Sequence, residues 1–150
     1  MPTVYFDMDG TIANLYAPND WLERLRAGDE TLYADAEPLG DVTKLIKRLR
    51  RAGYAVGVVS WLAKGSAAAF DARVRQAKRA WIMRHFPEVC EVHLVKYGTP
   101  KRSCVRDKGG ILIDDEQGNV DRWGERAYLV RDFAEVEKVV EQLCKKAAVR

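Results

Sequence analysis

Cysteine is scarce in this chain of 150 residues. The three cysteines are Cys90, Cys104 and Cys144, an odd number with no two close together in the sequence. A disulfide framework needs paired cysteines and a zinc knuckle needs closely spaced ones, so neither is indicated. The thiols are therefore expected to be reduced.

Long apolar runs and strong net charge are also missing. No stretch approaches the roughly 20 apolar residues of a membrane helix, and Met1-Pro2-Thr3 runs directly into an apolar segment rather than a signal peptide. A cytoplasmic protein with no membrane partner is expected. The net charge of +3 suits anionic small molecules and does not by itself indicate nucleic-acid binding.

Strand-like and helix-like segments alternate, which is typical of an α/β sheet. Length and a hydrophobic content of 47% fit one domain over residues 1–150. The sequence predicts a Rossmann-like three-layer fold around a parallel sheet. The predicted helices cover 41–52, 66–86 and 132–146, the predicted strands cover 4–7, 54–59, 89–95, 110–114 and 128–130, and a loop holds Gly118 and Gly124.

The first strand-like run is followed by Asp7-Met8-Asp9-Gly10-Thr11. Side chains alternate along a strand, so Asp7 and Asp9 are expected on one side where the chain leaves the sheet. One carboxylate can attack a phosphorus atom while the other handles a proton. Gly10 and Thr11 suit close contact with phosphate oxygens. The alternative is an ordinary Asx turn without a catalytic role.

A second acidic pair, Asp114-Asp115, ends the apolar run of residues 110–113. A run without polar alternation is typical of a buried parallel strand, and such strands collect functional groups at their C-terminal ends. Carboxylates from two strands are therefore predicted to surround one divalent cation. Oxygen ligands and a phosphate substrate favour Mg²⁺. A charged turn is the alternative for this pair.

Together these motifs resemble the haloacid dehalogenase superfamily of phosphohydrolases, whose four short motifs lie at the C-terminal edge of a parallel sheet. The first motif resembles residues 7–11, the second resembles the strand that ends in Ser60, and the fourth resembles the strand that ends in Asp114 and Asp115. The third motif is a lysine. Lys101, which follows the turn Gly98-Thr99-Pro100, is preferred to Lys96, which is expected still to lie in the strand.

The resemblance implies a Mg²⁺-dependent phosphomonoester hydrolase that works through an aspartyl-phosphate. Asp7 would be the nucleophile, and Asp9 would act first as general acid and then as base. The implied metal ligands are Asp7, Asp114 and the backbone carbonyl of Asp9, with Asp115 in a supporting position. The residues implied to bind phosphate are Gly10, Thr11, Ser60, Trp61 and Lys101.

Residues 14–40 lie where insertions in that superfamily form a cap, and their shortness implies only a small flap. Trp21, Leu22 and Leu25 are predicted to form one face of a short helix that Asn19 or Asp20 caps. The aromatic residues nearest the motifs could stack on a nucleobase or be core residues; they are Tyr16, Trp21, Tyr33 and Trp61. A finer resemblance to 5'(3')-deoxyribonucleotidases, carried by D-M-D-G-T and I-D-D, implies a small substrate such as a nucleoside monophosphate.

Two other functions fit parts of the pattern. Response-regulator receiver domains accept phosphate without rapid turnover, but their acidic pair and their acceptor follow different strands. A phosphatase acting on nucleic-acid ends would use basic surfaces, although charges on amphipathic helices are typically solvated. The basic residues concerned are Arg48, Arg50, Arg51, Arg73, Arg75, Lys78 and Arg79.

Overall fold

A computed structural model describes all 150 residues, Met1–Arg150. Five parallel strands form one sheet in the order β3-β2-β1-β4-β5. The strands are β1 (Thr3–Phe6), β2 (Ala55–Trp61), β3 (Glu91–Val95), β4 (Ile111–Asp114) and β5 (Ala127–Leu129). Because all five run the same way, their C-terminal ends share one edge of the sheet, with β1 and β4 adjacent near its middle.

Seven helices connect or flank these strands. They are α1 (Trp21–Arg26), α2 (Thr31–Asp35), α3 (Val42–Arg51), α4 (Ala68–His85), α5 (Lys101–Cys104), α6 (Gln117–Trp123) and α7 (Phe133–Ala148). A large core includes apolar residues of α3, α4 and α7, and a smaller one includes residues next to α5 and in α6. The predicted α/β, Rossmann-like fold is confirmed. None of the helices combines the length and apolarity needed to span a membrane.

The central strand β1 is buried along its whole length. Val4 and Phe6 belong to the large core and Tyr5 to the smaller one, as the two-residue period of a strand requires. The Tyr5 ring fits because glycines lie beside it: a Cβ would lie 2.7 Å from the ring at Gly57 and 2.6 Å from it at Gly110.

Two local predictions need correction. The segment with Gly118, predicted as a loop, is the helix α6, which ends where Gly124 adopts a φ of 109°. Asp20 is the N-cap residue of α1, but its side chain makes no capping hydrogen bond, and Leu22 is exposed rather than on an inward face. Helix prediction depends on apolar residues that recur with the helical period. Gly118 adds nothing to such a pattern, and the exposed Leu22 is an apolar residue that does not mark the buried face.

A buried carboxylate joins β1, β3 and the loop before β4. Glu91 accepts hydrogen bonds from the Tyr5 hydroxyl (2.8 Å), the Arg106 backbone N–H (2.7 Å) and the His93 ring (2.5 Å). Burial disfavours its charged form, but these donors outweigh burial and lower the pKa of Glu91 below its ordinary value. The ionised carboxylate therefore stabilises the fold.

Glu91→Gln is expected to lower the free energy of unfolding at pH 7 by about 1–2 kcal/mol. A carboxyl group with a lowered pKa in the folded state stabilises above its unfolded pKa, and this stability is lost as the pH falls through the folded pKa. The difference in unfolding free energy between wild type and variant, measured by urea titration, should therefore disappear below about pH 4. The exposed Glu137→Gln is the control, and a gap independent of pH would contradict this role.

Candidate active site

The ends of two neighbouring strands bring distant carboxylates together. Asp7 follows β1 and Asp114 ends β4, and the Asp7 N–H donates to the Ile113 carbonyl over 2.9 Å. Between them, the Lys101 Nζ lies 2.7 Å from Asp7 Oδ1 and 2.7 Å from Asp114 Oδ2. Asp7, 94 positions from Lys101 in the sequence, and Asp114, 13 positions from it, thus share one ammonium group.

The two candidate lysines of the third motif occupy different environments. Lys101 begins α5 after a turn in which Gly98 has a φ of 86°, and it is buried. Burial lowers the pKa of Lys101, but the charges of Asp7 and Asp114 outweigh burial and raise it overall. Lys96 is exposed and lies just after β3 ends at Val95, so its predicted place within the strand is wrong.

Three carboxylates form a compact oxygen cluster. Asp7, Asp114 and Asp115 each offer an oxygen, and these atoms all lie within 4.8 Å of one another. Loss of hydration, followed by repulsion from Asp7, raises the pKa of Asp114 to about 6 and that of Asp115 to about 8. Such crowding of like charges is the environment that a cation relieves.

The carboxylate of Asp9 lies outside this cluster and faces a buried lysine. Lys78 in α4 is fully buried, and its Nζ lies 2.8 Å from Asp9 Oδ2 and 3.0 Å from Ser60 Oγ. The expectation that the basic residues of this helix are solvated is therefore wrong for Lys78. Loss of hydration raises the pKa of Asp9, against the opposing charge of Lys78.

Free backbone donors follow the first acidic residue. The N–H groups of Met8 and Asp9 donate no hydrogen bond within the chain, whereas the Gly10 N–H donates to the Ala13 carbonyl over 2.9 Å. Thr11 Oγ1 donates to Asp7 Oδ2 over 3.3 Å. Gly10 has a φ of 81°, and a Cβ there would collide with the Asp115 carboxylate. Only glycine fits this turn.

A cavity of about 240 Å³ opens over these groups. Asp7, Asp9, Ser60, Lys101 and the acidic pair of β4 line it together with two aromatic pairs. In the first pair, Tyr16 and Trp21 have ring centroids 4.8 Å apart, and in the second, Trp61 and Tyr97 lie 4.7 Å apart. The first comes from residues 14–40 and the second from the ends of β2 and β3.

Three residues of the site were not predicted from the sequence. Tyr97 lines the cavity, and Asn119 in α6 donates to Asp114 Oδ2 over 3.2 Å. Lys78 had a detectable signal, because it shares the apolar face of its helix with Val74, Trp81 and Ile82. A lysine inside an apolar stripe indicates a buried charge with a partner.

Comparisons with known proteins give a likeness of fold. No protein-family model and no curated protein matches the sequence. The structure of D,D-heptose 1,7-bisphosphate phosphatase from Burkholderia thailandensis is similar, with a TM-score of 0.60 and 18% identity over 94% of this chain and 85% of that chain. The structure of a HAD family hydrolase from Deinococcus radiodurans R1, with bound phosphate and sodium, is more distant. Its TM-score is 0.46, with 11% identity over 95% of this chain and 96% of that chain.

The second of these likenesses is too remote to carry weight, and the first concerns the arrangement of the backbone. The likeness to the Burkholderia protein extends over nearly the whole chain. The chain therefore shares the fold of this Burkholderia phosphatase, in agreement with the Rossmann-like α/β fold that the sequence predicted.

Proposed function

We propose that the chain is a phosphomonoester hydrolase that works through an aspartyl-phosphate. The observation that supports it best is the junction of Asp7, Lys101 and Asp114 at the C-terminal edge of the sheet, beside two free N–H groups. A nucleophile, a cation and backbone donors are the parts that phosphoryl transfer requires. Residues 1–150 would form one phosphatase domain, with 14–40 as its small cap.

In the first step Asp7 attacks the phosphorus atom. A bond forms between an Asp7 oxygen and phosphorus, the bond from phosphorus to the leaving oxygen breaks, and that oxygen takes a proton from Asp9. The raised pKa of Asp9 favours the protonated form that this step requires.

In the second step Asp9 acts as a base. Its carboxylate removes a proton from water, the water oxygen bonds to phosphorus, and the bond between phosphorus and Asp7 breaks. Inorganic phosphate leaves, and both aspartates return to their starting forms. One residue thus serves both directions of proton transfer, because each step leaves it in the form that the next step needs.

The phosphoryl oxygens would be held by backbone and side-chain donors. The proposed donors are the Met8 and Asp9 N–H groups, which are free of hydrogen bonds within the chain, the Thr11 and Ser60 hydroxyls and the Lys101 ammonium. Gly10 would contribute its tight turn rather than its N–H, which is already bonded. Trp61, predicted to bind phosphate, lines the cavity, and its indole N–H donates to the Thr99 carbonyl.

A divalent cation fits the cluster of Asp7, Asp114 and Asp115, because each offers a carboxylate oxygen and crowding already raises the pKa values of Asp114 and Asp115. Asp115, for which the resemblance implied only a supporting position, is therefore proposed as a ligand. We propose that Mg²⁺ binds there with the Asp9 backbone carbonyl as a further ligand. When bound, it would offset the repulsion between the carboxylates and an incoming phosphate. Asp114 already accepts from Lys101, Asn119 and the Glu116 N–H, whereas Asp115 accepts no such bond.

Asp114→Asn and Asp115→Asn are each expected to raise the Mg²⁺ concentration for half-maximal activity by about 10-fold or more, because each removes a charge from the cation site. Titrating activity against Mg²⁺ measures the concentration for half-maximal activity. The rise of the melting temperature with Mg²⁺ checks the change in Mg²⁺ affinity independently of catalysis. Asp121→Asn, at an exposed position in α6, is the control. If losses at limiting and saturating Mg²⁺ are equal, the residue is not a ligand.

A small phosphorylated metabolite is the proposed substrate class, and a nucleoside monophosphate is the preferred member. The two aromatic pairs that line the cavity support a nucleotide substrate, because a nucleobase can stack on such rings. The similar Burkholderia protein is a phosphatase named for a heptose bisphosphate, so sugar phosphates are the natural comparison.

Phosphate release tests the proposed function. The substrates are p-nitrophenyl phosphate, nucleoside monophosphates, sugar phosphates and 5'-phosphorylated oligonucleotides, each with Mg²⁺ and with EDTA. Multiple turnovers that need Mg²⁺, fastest with nucleoside monophosphates, are expected. A single covalent phosphorylation without turnover would instead indicate a regulatory module, and preference for oligonucleotides would indicate action on nucleic-acid ends.

A further inference from the structure

Lys78 uses all three of its ammonium hydrogens inside the protein. Its Nζ donates to Asp9 Oδ2 (2.8 Å), to Ser60 Oγ (3.0 Å) and to the Trp61 carbonyl (2.8 Å). The ammonium also lies 4.8 Å from the centre of the Tyr33 ring. A lysine has three donors and no acceptor, so nothing remains for a substrate.

The position of Lys78 relative to the cavity separates it from Lys101. Lys101 lines the cavity and contacts Asp7, whereas Lys78 is fully buried and does not line it. Asp9 and Ser60, which both line the cavity, are the side chains through which Lys78 contacts the site. Lys78 can therefore influence the reaction only through the residues that it holds.

The contacts of Lys78 restrict Asp9 in a specific way. Oδ2 of Asp9 is fixed by the ammonium, while Oδ1 is buried and has no hydrogen-bond partner. Without Lys78 the carboxyl group could rotate and exchange these two oxygens. The same ammonium fixes the Ser60 hydroxyl, so one atom sets the distance between a proton-transfer group and a phosphate-binding group.

We propose that Lys78 is a positioning residue that holds Asp9 for proton transfer to the leaving group. The inference rests on the proposed phosphomonoesterase function and adds to it a second buried lysine with a separate task. Lys101 would act on the phosphoryl group and Lys78 on the acid. Misplacing a general acid forfeits much of its contribution, which is typically about 10²- to 10⁴-fold.

The test compares two leaving groups. For Lys78→Met, kcat/KM with an alkyl phosphate should fall by about 10²-fold, because an alkoxide needs the proton. With p-nitrophenyl phosphate it should fall by less than about 5-fold, because that phenolate leaves without much help. The parameter kcat/KM reports steps up to the transfer onto Asp7, so the later water step does not obscure the comparison.

Two controls accompany this variant. Arg79→Met removes a positive charge from the next, exposed position of the same helix and should leave both rates near the wild-type values. Asp9→Asn should show the same selective loss as Lys78→Met. Equal loss with both leaving groups in Lys78→Met would overturn the proposal, while inactivity of the wild type on every substrate would instead refute the proposed function.

A second comparison remains decisive if Lys78→Met does not fold. Asp9→Asn and the double variant Asp9→Asn/Lys78→Met differ only in the lysine, and the double variant leaves no unpaired buried charge of this pair. If Lys78 acts through Asp9, the two should have the same kcat/KM with both leaving groups, within about 2-fold. A further loss of about 10-fold or more in the double variant would show that Lys78 acts by another route.

Discussion

Asp7→Asn is expected to lower kcat/KM for p-nitrophenyl phosphate by about 10⁵-fold, because it replaces the nucleophile with an amide that cannot form the acyl phosphate. The side chain keeps its size, and Lys101 retains Asp114 as a partner 2.7 Å away. The loss should therefore appear in the rate constant rather than in folding. Phosphate release at saturating Mg²⁺, with circular dichroism and the melting temperature, measures both.

The control for this variant is Asp121→Asn, which removes an exposed carboxylate from α6 and should keep wild-type activity. A good leaving group is the stringent choice of substrate, since it removes any need for the acid and isolates the attack on phosphorus. Turnover by Asp7→Asn within about 10-fold of wild type would mean that another group is the nucleophile.

Lys101→Met is the second change with a large expected effect. Removing the ammonium between Asp7 and Asp114 leaves two buried carboxylates without their shared partner. Loss of one side of a buried ion pair costs about 3–5 kcal/mol of unfolding free energy, and loss of a cation at the phosphoryl group lowers kcat/KM by about 10²- to 10³-fold. The variant should fail equally with alkyl and aryl phosphates.

Lys96→Met is the matched control for Lys101→Met. Lys96 is exposed and pairs with no acidic residue, so its replacement should change neither stability nor rate appreciably. Mg²⁺ should restore more stability to Lys101→Met than to wild type, because another cation then neutralises the same carboxylates. If Lys96→Met is the inactive variant and Lys101→Met is active, the assignment of the third-motif lysine is reversed.

Strand ends were the part of the site most accessible to sequence reasoning. Val4 to Phe6 and Ile111 to Ile113 are short apolar runs that end in acidic residues, and parallel pairing places such ends at one edge of the sheet. The proximity of Asp7 and Asp114 follows from that topology alone. The ordinary rules of α/β folds therefore predict the position of the candidate site from the sequence.

Residues on helices were harder to predict. Lys78 is one of several basic residues in α4, and only its register with Val74 and Ile82 separates it from its solvated neighbours. The helix α6, which carries Asn119, contains a glycine that disfavours a helix locally, so tertiary packing determines its conformation. Side-chain burial of this kind depends on which helix face meets the sheet.

Covalent trapping of the enzyme tests the central claim most directly. The protein is mixed with excess p-nitrophenyl phosphate and Mg²⁺, quenched in acid within the first turnovers, digested, and examined by mass spectrometry. We expect one phosphoryl group on the peptide that contains Asp7, removable by hydroxylamine and absent from Asp7→Asn. Product formation with no phosphorylated peptide at any time, or with the phosphoryl group on another residue, would contradict the account.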